Sequence, residues 1–304
     1  MVEASKTFTC LGGACTVTVA GEGPAGASED AVTAARDHLL EWHEVFSRFK
    51  PTSELTSLNA DPLDSVSVSP MMARFVQAAV DAASATGGLV DATLLGEIED
   101  AGYREDRARG SLALPIALAL APPRAPAGPH PDARWREIEV DVPGCVVTRP
   151  PGVRLDGGGI VKGLLADVLG ELLGEHTSVA IDCEGDVRVC GAEGRERVFQ
   201  VASPFGGSVL HELRLSDGAV SMAGISKRSW LDGGRPAHHL LDPATGRPAY
   251  TGVVEVTALA LTALEGEALA KAALLSGPDE APGWLPHGGV IVFDDASHAV
   301  VAPS

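Results

Sequence analysis

Short strand-like segments constrain the fold of this chain more than any other feature. They lie at 178–190, 197–202, 209–215, 253–262 and 289–293. Meandering strands combined with isolated helices are typical of an α+β fold. Only 4% of the residues are aromatic, whereas glycine and proline number 35 and 21, so Leu, Val and Ala must build the core. We expect one domain over residues 1–304, a single compact unit with two lobes.

Helices are predicted where apolar residues recur at helical spacing. The predicted helices cover 28–49, 70–86, 160–174 and 263–275, with a polar turn at 50–54. Further strands are expected at 8–20, 135–142 and 145–148. Residues 104–134, which are rich in Arg, Ala and Pro, are predicted to form a surface loop insertion.

Acidic residues outnumber basic ones by 41 to 23, and the net charge of −18 argues against binding to nucleic acid or to an anionic membrane surface. The five cysteines are scattered and form no CxxC pair, which favours reduced thiols. The first six residues lack the pattern of a signal peptide, and the most apolar run, 112–122, is too short to cross a bilayer. We therefore expect a soluble, cytoplasmic protein without membrane insertion.

A glycine-rich segment, LDGGGIVKG at 155–163, is the first candidate for chemistry. Its three consecutive glycines let the backbone approach a ligand closely, and the N-terminus of the helix that follows favours a phosphate. Lys162 adds a positive charge. The spacing of a P-loop, GxxxxGK[ST], is absent. A tight strand-to-helix turn with a solvated lysine explains the same pattern.

Two adjacent histidines precede a polar turn in the segment HHLLDPATGRP at 238–248. The histidines end a predicted strand and therefore point to opposite faces, so that one faces a site while the other faces solvent. A histidine beside a polar turn is a candidate general base. A turn with two surface imidazoles is the alternative.

Two acidic patterns are further candidates. Asp182, Glu184 and Asp186 alternate, and on a straight strand they would share one face and bind a hard cation, unless Gly185 breaks the alternation. Glu267 and Lys271 are four residues apart on a predicted helix. Taken alone, that spacing predicts a surface salt bridge worth about 0.3–0.5 kcal/mol.

Taken in order, these segments resemble the motifs of a known family. The segments are FSRFKP at 46–51 with SEL at 53–55 and LN at 58–59, GLVDAT at 88–93, LDGGGIVKG at 155–163, GDVR at 185–188, and HLLDPATGRP at 239–248. Together they resemble the ApbE-like flavin transferases (FAD:protein FMN transferases), over a stretch from about Phe8 to Phe293.

The resemblance implies an α+β fold with mixed, largely antiparallel sheets and packed helices. It also implies an enzyme that binds FAD with Mg²⁺, attaches FMN through a phosphoester bond to a Thr or Ser hydroxyl of an acceptor protein, and releases AMP. Such a reaction needs charge neutralisation at the pyrophosphate and an activated hydroxyl.

The resemblance also implies roles for individual residues. His239, Lys162 and Lys271 are the implied catalytic residues, with His239 as the base. The backbone carbonyl of Val161 and the side chain of Glu267 are the implied metal ligands. The implied FAD-binding residues, besides Lys162 and His239, are Ser47, Arg48, Glu54, Asn59, Asp91, Asp156, Gly158, Gly159, Gly185, Asp186, Gly224, Arg228, Asp242, Thr245 and Gly246.

The sequence departs from the family pattern at the metal ligands, because Glu267 and Lys271 stand where the family has Asp and Thr. A protonated lysine cannot bind a cation. Either Lys271 replaces the charge of the metal, or it pairs with Glu267 and leaves a flavin-binding protein with little transferase activity. Asp182 and Glu184 are also departures, and they offer an alternative cation site.

Three other functions therefore stand beside the transferase. Hydrolysis of FAD to FMN and AMP would use the same site with water as the acceptor. A flavin carrier would bind FAD without turnover. Binding of another small nucleotide-like molecule is the remaining alternative, because a fold does not determine a function.

Overall fold

A computed structural model describes residues 2–105 and 112–304. Met1 and part of the predicted 104–134 insertion, residues 106–111, therefore lie outside the described residues. The α-helices found are α1 (Ser28–Phe46), α2 (Glu54–Ala60), α3 (Pro70–Ala85), α4 (Leu95–Asp100), α5 (Leu114–Leu120), α6 (Val161–Leu173) and α7 (Ala263–Ser276). Two short 3₁₀ helices cover Arg134–Glu137 and Ala281–Trp284.

The strands form one large sheet and several small ones. They are β1 (Glu3–Cys10), β2 (Gly13–Ala20), β3 (Ser65–Ser67), β4 (Glu139–Asp141), β5 (Val146–Thr148), β6 (Ser178–Cys183), β7 (Asp186–Cys190), β8 (Arg197–Ala202), β9 (Val209–Leu215), β10 (Gly218–Gly224), β11 (Ser229–Asp232), β12 (Arg235–His238), β13 (Leu241–Asp242), β14 (Arg247–Pro248), β15 (Val253–Ala260), β16 (Gly289–Phe293) and β17 (His298–Val301). The large sheet has the order β1-β2-β6-β7-β10-β15-β16-β17. Each neighbouring pair in it is antiparallel, which confirms the predicted α+β fold.

Two apolar clusters hold the helices against this sheet. The first joins α1, α3 and α6 to β2 and β6, with Leu39, Phe75 and Leu165 fully buried. The second joins α7 to β15 and β16 through residues such as Leu274 and Val256. Both clusters consist mainly of Leu, Val, Ala and Ile, as the low aromatic content requires. The division of the chain into a single domain over 1–304 stays a prediction.

Helices α6 and α7 cross at very short range. A Cβ atom on Gly163 would lie 2.5 Å from the carbonyl oxygen of Ala263, so only glycine permits this approach. Each helix also caps the start of the other. Asp167 of α6 accepts hydrogen bonds from the backbone N–H groups of Ala263 (2.8 Å) and Leu264 (2.9 Å), and Glu267 of α7 accepts one from Gly163 (2.8 Å). These reciprocal caps fix the rotation of α7 about its own axis relative to α6.

Two predicted strands are hairpins. The strand predicted at 8–20 is β1 and β2 around a turn in which Leu11 and Gly12 have φ of 54° and 84°. The strand predicted at 178–190 is β6 and β7 around Glu184 and Gly185, with φ of 59° and 96°. In both turns a non-glycine residue takes the left-handed conformation, which composition alone does not reveal.

Other predictions about elements need smaller corrections. The predicted 50–54 turn is followed by α2, whose N-cap Ser53 accepts a hydrogen bond from the Thr56 N–H. The strand predicted at 135–142 begins as a 3₁₀ helix. The predicted last strand, β16, is followed by β17, which closes the sheet. The prediction also missed α4.

The segment predicted as a surface loop at 104–134 is anchored where it is described. It contains α5, which buries Leu114 and Ala117. Farther along, Ala127 donates a backbone hydrogen bond of 2.8 Å to Leu275. None of the helices in the described ranges is both long and apolar enough to span a bilayer.

Candidate active site

A pocket opens between the end of α1, the start of α6, the loop after β12 and the middle of α7. Eleven of the residues that the resemblance implicates line it: Ser47, Arg48, Asp91, Asp156, Gly158, Gly159, Val161, Lys162, Arg228, His239 and Lys271. The other implicated residues lie behind or beside the wall. The structure therefore brings segments separated by more than 200 residues to one cavity.

The glycine-rich segment forms the floor of the pocket ahead of α6. Asp156 accepts a backbone hydrogen bond from Gly158 (3.2 Å), and its other oxygen pairs with Arg48 Nε at 3.0 Å. The N-cap of α6, Ile160, provides no side-chain cap. The Val161 and Gly163 N–H groups already donate to the Gly157 carbonyl and to Glu267, so this helix start favours an anion through its dipole and through the Lys162 side chain.

Behind this floor lies a buried quartet of charges formed by Lys162, Asp186, Glu267 and Lys271. Lys162 Nζ is 2.6 Å from Asp186 Oδ2, and Lys271 Nζ is 2.8 Å from Glu267 Oε1. The two carboxylate side chains are 0% exposed, whereas the lysine side chains are 14% and 10% exposed and reach the pocket wall. Two ammonium groups thus face the cavity, and a carboxylate supports each from behind.

Opposite charges hold Lys162 and Glu267 in their ionised forms, whereas burial raises the pKa of Asp186 to about 6 although Lys162 opposes the rise. Burial would lower the pKa of Lys162, but Asp186 and Glu267 raise it well above its usual value. Burial would likewise raise the pKa of Glu267, but Lys271 and Lys162 hold it below its usual value. The ionised state is therefore maintained inside the protein.

The prediction of a surface salt bridge between Glu267 and Lys271 is wrong. Ten of the 14 residues of α7 are buried, because β10 and β15 pack on one side and α6 on another. The i,i+4 spacing is present, but the pair lies inside the protein. Its energetics are therefore those of a buried ion pair, in which removal of one partner is costly.

These residues do not fit the expected Mg²⁺ site. Both oxygens of Glu267 already accept hydrogen bonds, one from Lys271 Nζ and one from the Gly163 N–H. An ion beside Glu267 and the Val161 carbonyl would also face the ammonium group of Lys271. Across the described part of the chain, no three His, Cys, Asp or Glu residues are grouped to hold a metal.

The acidic segment at 182–186 does not form a cation site either. Asp182 accepts the Gly185 N–H at 2.8 Å within the hairpin turn, Glu184 pairs with Arg228, and Asp186 pairs with Lys162. The alternative interpretation, in which Gly185 breaks the alternation, is confirmed: the strand reverses at Glu184 and Gly185, so the three carboxylates do not share one face. The three carboxylates therefore point to different partners.

The two histidines have different surroundings. His239 lines the pocket, and its Nδ1 is buried with no hydrogen-bond partner among the described residues. Burial, with the positive charge of Arg228, lowers the pKa of His239 well below its usual value. The imidazole is therefore neutral at pH 7 and able to accept a proton.

His238 is buried rather than exposed to solvent as predicted. Its ring packs edge-on against Tyr250 with 4.8 Å between centroids, and Nδ1 accepts the Leu240 N–H at 3.3 Å. Burial lowers its pKa to about 4. His238 is thus a neutral core residue that fixes the backbone next to His239.

The turn after the histidines does not line the pocket. Asp242 accepts hydrogen bonds from the Gly128 N–H (2.9 Å), the Ala244 N–H (3.1 Å) and the Thr245 hydroxyl (2.7 Å). Gly246 closes the turn with φ of 66°. These contacts connect the turn to the 112–134 segment and position the loop after β12 that carries His239.

The remaining residues that the resemblance implicates hold neighbouring segments in place and do not line the pocket. Asn59 exchanges two hydrogen bonds with the backbone of Leu155, at 2.8 and 2.7 Å, and so anchors the start of the glycine-rich segment. Glu54 accepts hydrogen bonds from the backbone and hydroxyl of Ser69, where α3 begins. Gly185 lies in the β6–β7 turn, and Gly224 lies at the end of β10 beside Glu255.

An aromatic wall of the pocket is missing from the sequence predictions. Tyr103 stacks on Trp230 with 5.4 Å between ring centroids, and the Arg48 guanidinium lies 4.7 Å from the Tyr103 ring and 4.3 Å from the Phe49 ring. The chain has only two tyrosines. The scarcity of tyrosine is the one feature of the sequence that would have singled out Tyr103 as a candidate site residue.

Comparison with known proteins agrees with this geometry. The chain is 28% identical to an FAD:protein FMN transferase of Rhodobacter capsulatus over 92% of its own length, and it spans about half (53%) of that relative. It is 29% identical to an FAD:protein FMN transferase of Treponema pallidum, over 90% of this chain and 79% of that protein.

Solved structures show the same fold. The ApbE protein of Thermotoga maritima superposes with a TM-score of 0.80 at 24% identity, over 98% of this chain and 97% of its own. The flavinyl transferase ApbE of Pseudomonas stutzeri superposes with a TM-score of 0.76 at 20% identity, over 99% and 95%. The sequence profile of the ApbE family matches residues 11–293. The chain therefore belongs to the ApbE family.

Proposed function

We propose that this protein is an FAD:protein FMN transferase. The observation that carries the proposal is the placement of two ammonium groups, Lys162 and Lys271, and the neutral imidazole of His239 on the wall of one pocket. FAD would bind there, and its FMN part would move to a Thr or Ser hydroxyl of an acceptor protein. The names of the Rhodobacter and Treponema relatives support this choice of substrate and acceptor class.

In this reaction the hydroxyl oxygen of the acceptor forms a bond to the FMN phosphorus. The bond between that phosphorus and the bridging pyrophosphate oxygen breaks, and AMP leaves with that oxygen. His239, which burial keeps neutral at pH 7, takes the hydroxyl proton. The two lysines neutralise the charge that develops on the phosphate oxygens.

The rest of the pocket suits a dinucleotide that contains flat rings. Phe49 and Tyr103 supply aromatic surface near the guanidinium of Arg48. Aromatic faces of this kind stack on planar ring systems. Leu89, Val90 and Leu94 add an apolar patch across the cavity. The proposed position of the flavin or adenine ring is against these walls.

Compartment and metal requirement are part of the proposal. The five cysteines are free, which supports a reducing compartment such as the cytoplasm. Mg²⁺ dependence, which the family resemblance implies, has no support from the residues around Glu267, whose oxygens are already engaged. We therefore assign charge neutralisation to the protein's own cations.

The test combines the purified protein, FAD and a cell extract as the source of acceptor. We expect AMP release by chromatography and a covalently fluorescent protein band on a denaturing gel. Release of AMP without a labelled band would identify FAD hydrolysis instead. Tight binding of FAD that remains intact in the presence of extract would identify a flavin carrier and contradict the proposal.

The role of His239 is tested by His239→Gln, with His298→Gln on the exposed strand β17 as the matched control. Loss of a general base lowers the rate by about 10²–10⁴-fold. We expect that fall in AMP release for His239→Gln, while FAD affinity, measured by flavin fluorescence, stays within about threefold. Equal rates in both variants would remove His239 from the mechanism.

A further inference from the structure

We propose that the ammonium group of Lys271 takes the place of a divalent cation at the pyrophosphate, so that this protein binds and cleaves FAD without a metal. The inference rests on the proposed function and concerns the same site. It starts from the disagreement between the expected Mg²⁺ ligands and the contacts that Glu267 makes.

The crossing of α6 and α7 determines where Lys271 lies. Gly163 permits the close approach, and the caps made by Asp167 and Glu267 hold the two helix starts together. Lys271 follows Glu267 by one helical turn and therefore projects on the same side of α7. That side forms part of the pocket wall.

The hydrogen bonds of the pair leave Lys271 able to bind a ligand. An ammonium group has three N–H donors, and Glu267 Oε1 accepts one of them at 2.8 Å. Glu267 is 0% exposed and lies behind, whereas Lys271 is 10% exposed and reaches the cavity. The carboxylate thus orients the ammonium group, as Asp186 does for Lys162.

The charges of the quartet favour a phosphate over a metal. Its two lysines and two carboxylates sum to zero when all are ionised. A divalent cation would add two positive charges next to two ammonium groups in a buried place. The pyrophosphate of FAD instead carries two negative charges, and it would meet two ammonium groups.

The experiment measures FAD binding by flavin fluorescence and AMP release, each in excess EDTA and in millimolar MgCl₂. It uses the wild-type protein, Lys271→Thr, Lys271→Arg, and Lys6→Thr on β1 as the matched control away from the pocket. We expect the wild type and Lys6→Thr to behave alike with and without metal, and we expect Lys271→Arg, which keeps the positive charge, to remain independent of the metal. We expect Lys271→Thr to bind FAD about tenfold more weakly in EDTA and to regain affinity with Mg²⁺.

Two outcomes overturn the inference in distinguishable ways. If the wild type loses FAD binding or AMP release in EDTA and regains it with Mg²⁺, Lys271 does not replace the metal, and the proposed function stands. If the wild type neither binds FAD nor releases AMP under either condition, both proposals fail. Because the metal titration of the wild type needs no variant, the test remains decisive even if Lys271→Thr does not fold.

Discussion

Two buried glutamates, Glu267 on α7 and Glu255 on β15, experience opposite electrostatic effects although they lie on consecutive elements of the chain. As whole residues, Glu267 and Glu255 are 1% and 6% exposed. Lys271 and Lys162 hold the pKa of Glu267 below its usual value against the effect of burial. Burial raises the pKa of Glu255 to about 7, and only the exposed Lys227 opposes the shift. Burial alone therefore does not determine the charge of a carboxylate; its partners do.

The difference between the two pKa shifts follows from the charged groups that lie near each glutamate. Glu267 sits where α7 crosses α6, and the lysines of both helices approach it there. Glu255 pairs in register with Gly224 of β10 and Val292 of β16 and takes part in none of the ion pairs found among the described residues. The protein thus keeps a negative charge where it supports the pocket, and favours a protonated carboxyl elsewhere.

The largest effect is expected for Glu267→Gln. The substitution preserves the shape and an acceptor for the Gly163 N–H but leaves Lys271 and Lys162 with one less counter-charge. Removal of one partner of a buried ion pair costs about 3–5 kcal/mol in the free energy of unfolding. Urea unfolding at pH 7 measures it. A loss below about 1 kcal/mol, as for an exposed pair, would show that Glu267 is not ionised in the folded protein.

A smaller effect of opposite sign is expected for Glu255→Gln. The folded pKa of about 7 exceeds the ordinary glutamate value of 4.5, so the folded protein binds more protons than the unfolded one between these values. The wild type therefore loses stability as the pH rises from 4.5 to 7, and the variant does not. Above pH 7 we expect Glu255→Gln to be more stable than the wild type by about 1–3 kcal/mol.

The same unfolding experiment from pH 4.5 to 8.5 measures this difference. Near pH 4.5 the two proteins should have nearly equal stability, because Glu255 is protonated when the wild type is folded. A variant that is less stable than the wild type throughout this range would show that Glu255 has a favourable partner in its ionised form.

The smallest effect is expected for Glu184→Gln, which removes a carboxylate that pairs with Arg228 near the surface. Their side chains are 18% and 17% exposed. We expect a change of less than about 1 kcal/mol in the free energy of unfolding at pH 7. A loss of stability as large as that of Glu267→Gln would mean that the ion pairing, and not the burial of the pair, determines the cost of removing the carboxylate.

The fold was largely predictable where the pattern is local. The predicted helices at 70–86, 160–174 and 263–275 match α3, α6 and α7 within one residue at each end. The hairpins at Leu11 and Glu184 were missed because both turns use a non-glycine residue in a left-handed conformation. Short helices such as α5 were missed because tertiary contacts stabilise them.

The sequence predicted which segments contribute to the candidate site, but it did not predict how those segments are arranged in space. The motifs that contain Arg48, Asp156 and His239 were found in the sequence, and the structure gathers them around one pocket. Their roles stay predictions. Asp242 and Thr245 were assigned to the pocket because of the motif, whereas their side chains hold the turn together. The aromatic wall at Tyr103 has no motif of its own, and only tertiary structure brings it to Arg48.

By itself the sequence determined the α+β class, the helices with clear periodicity and the resemblance to the ApbE family, because these depend on residues close together in the chain. The tertiary structure alone decided that Glu267 and Lys271 form a buried pair on the pocket wall. An i,i+4 spacing is the same on a surface helix and on a buried one. Only the packing of α7 against α6 and the sheet removes water from the pair and brings Lys162 near it, and these two effects together decide the charge of Glu267 and the energy of the pair.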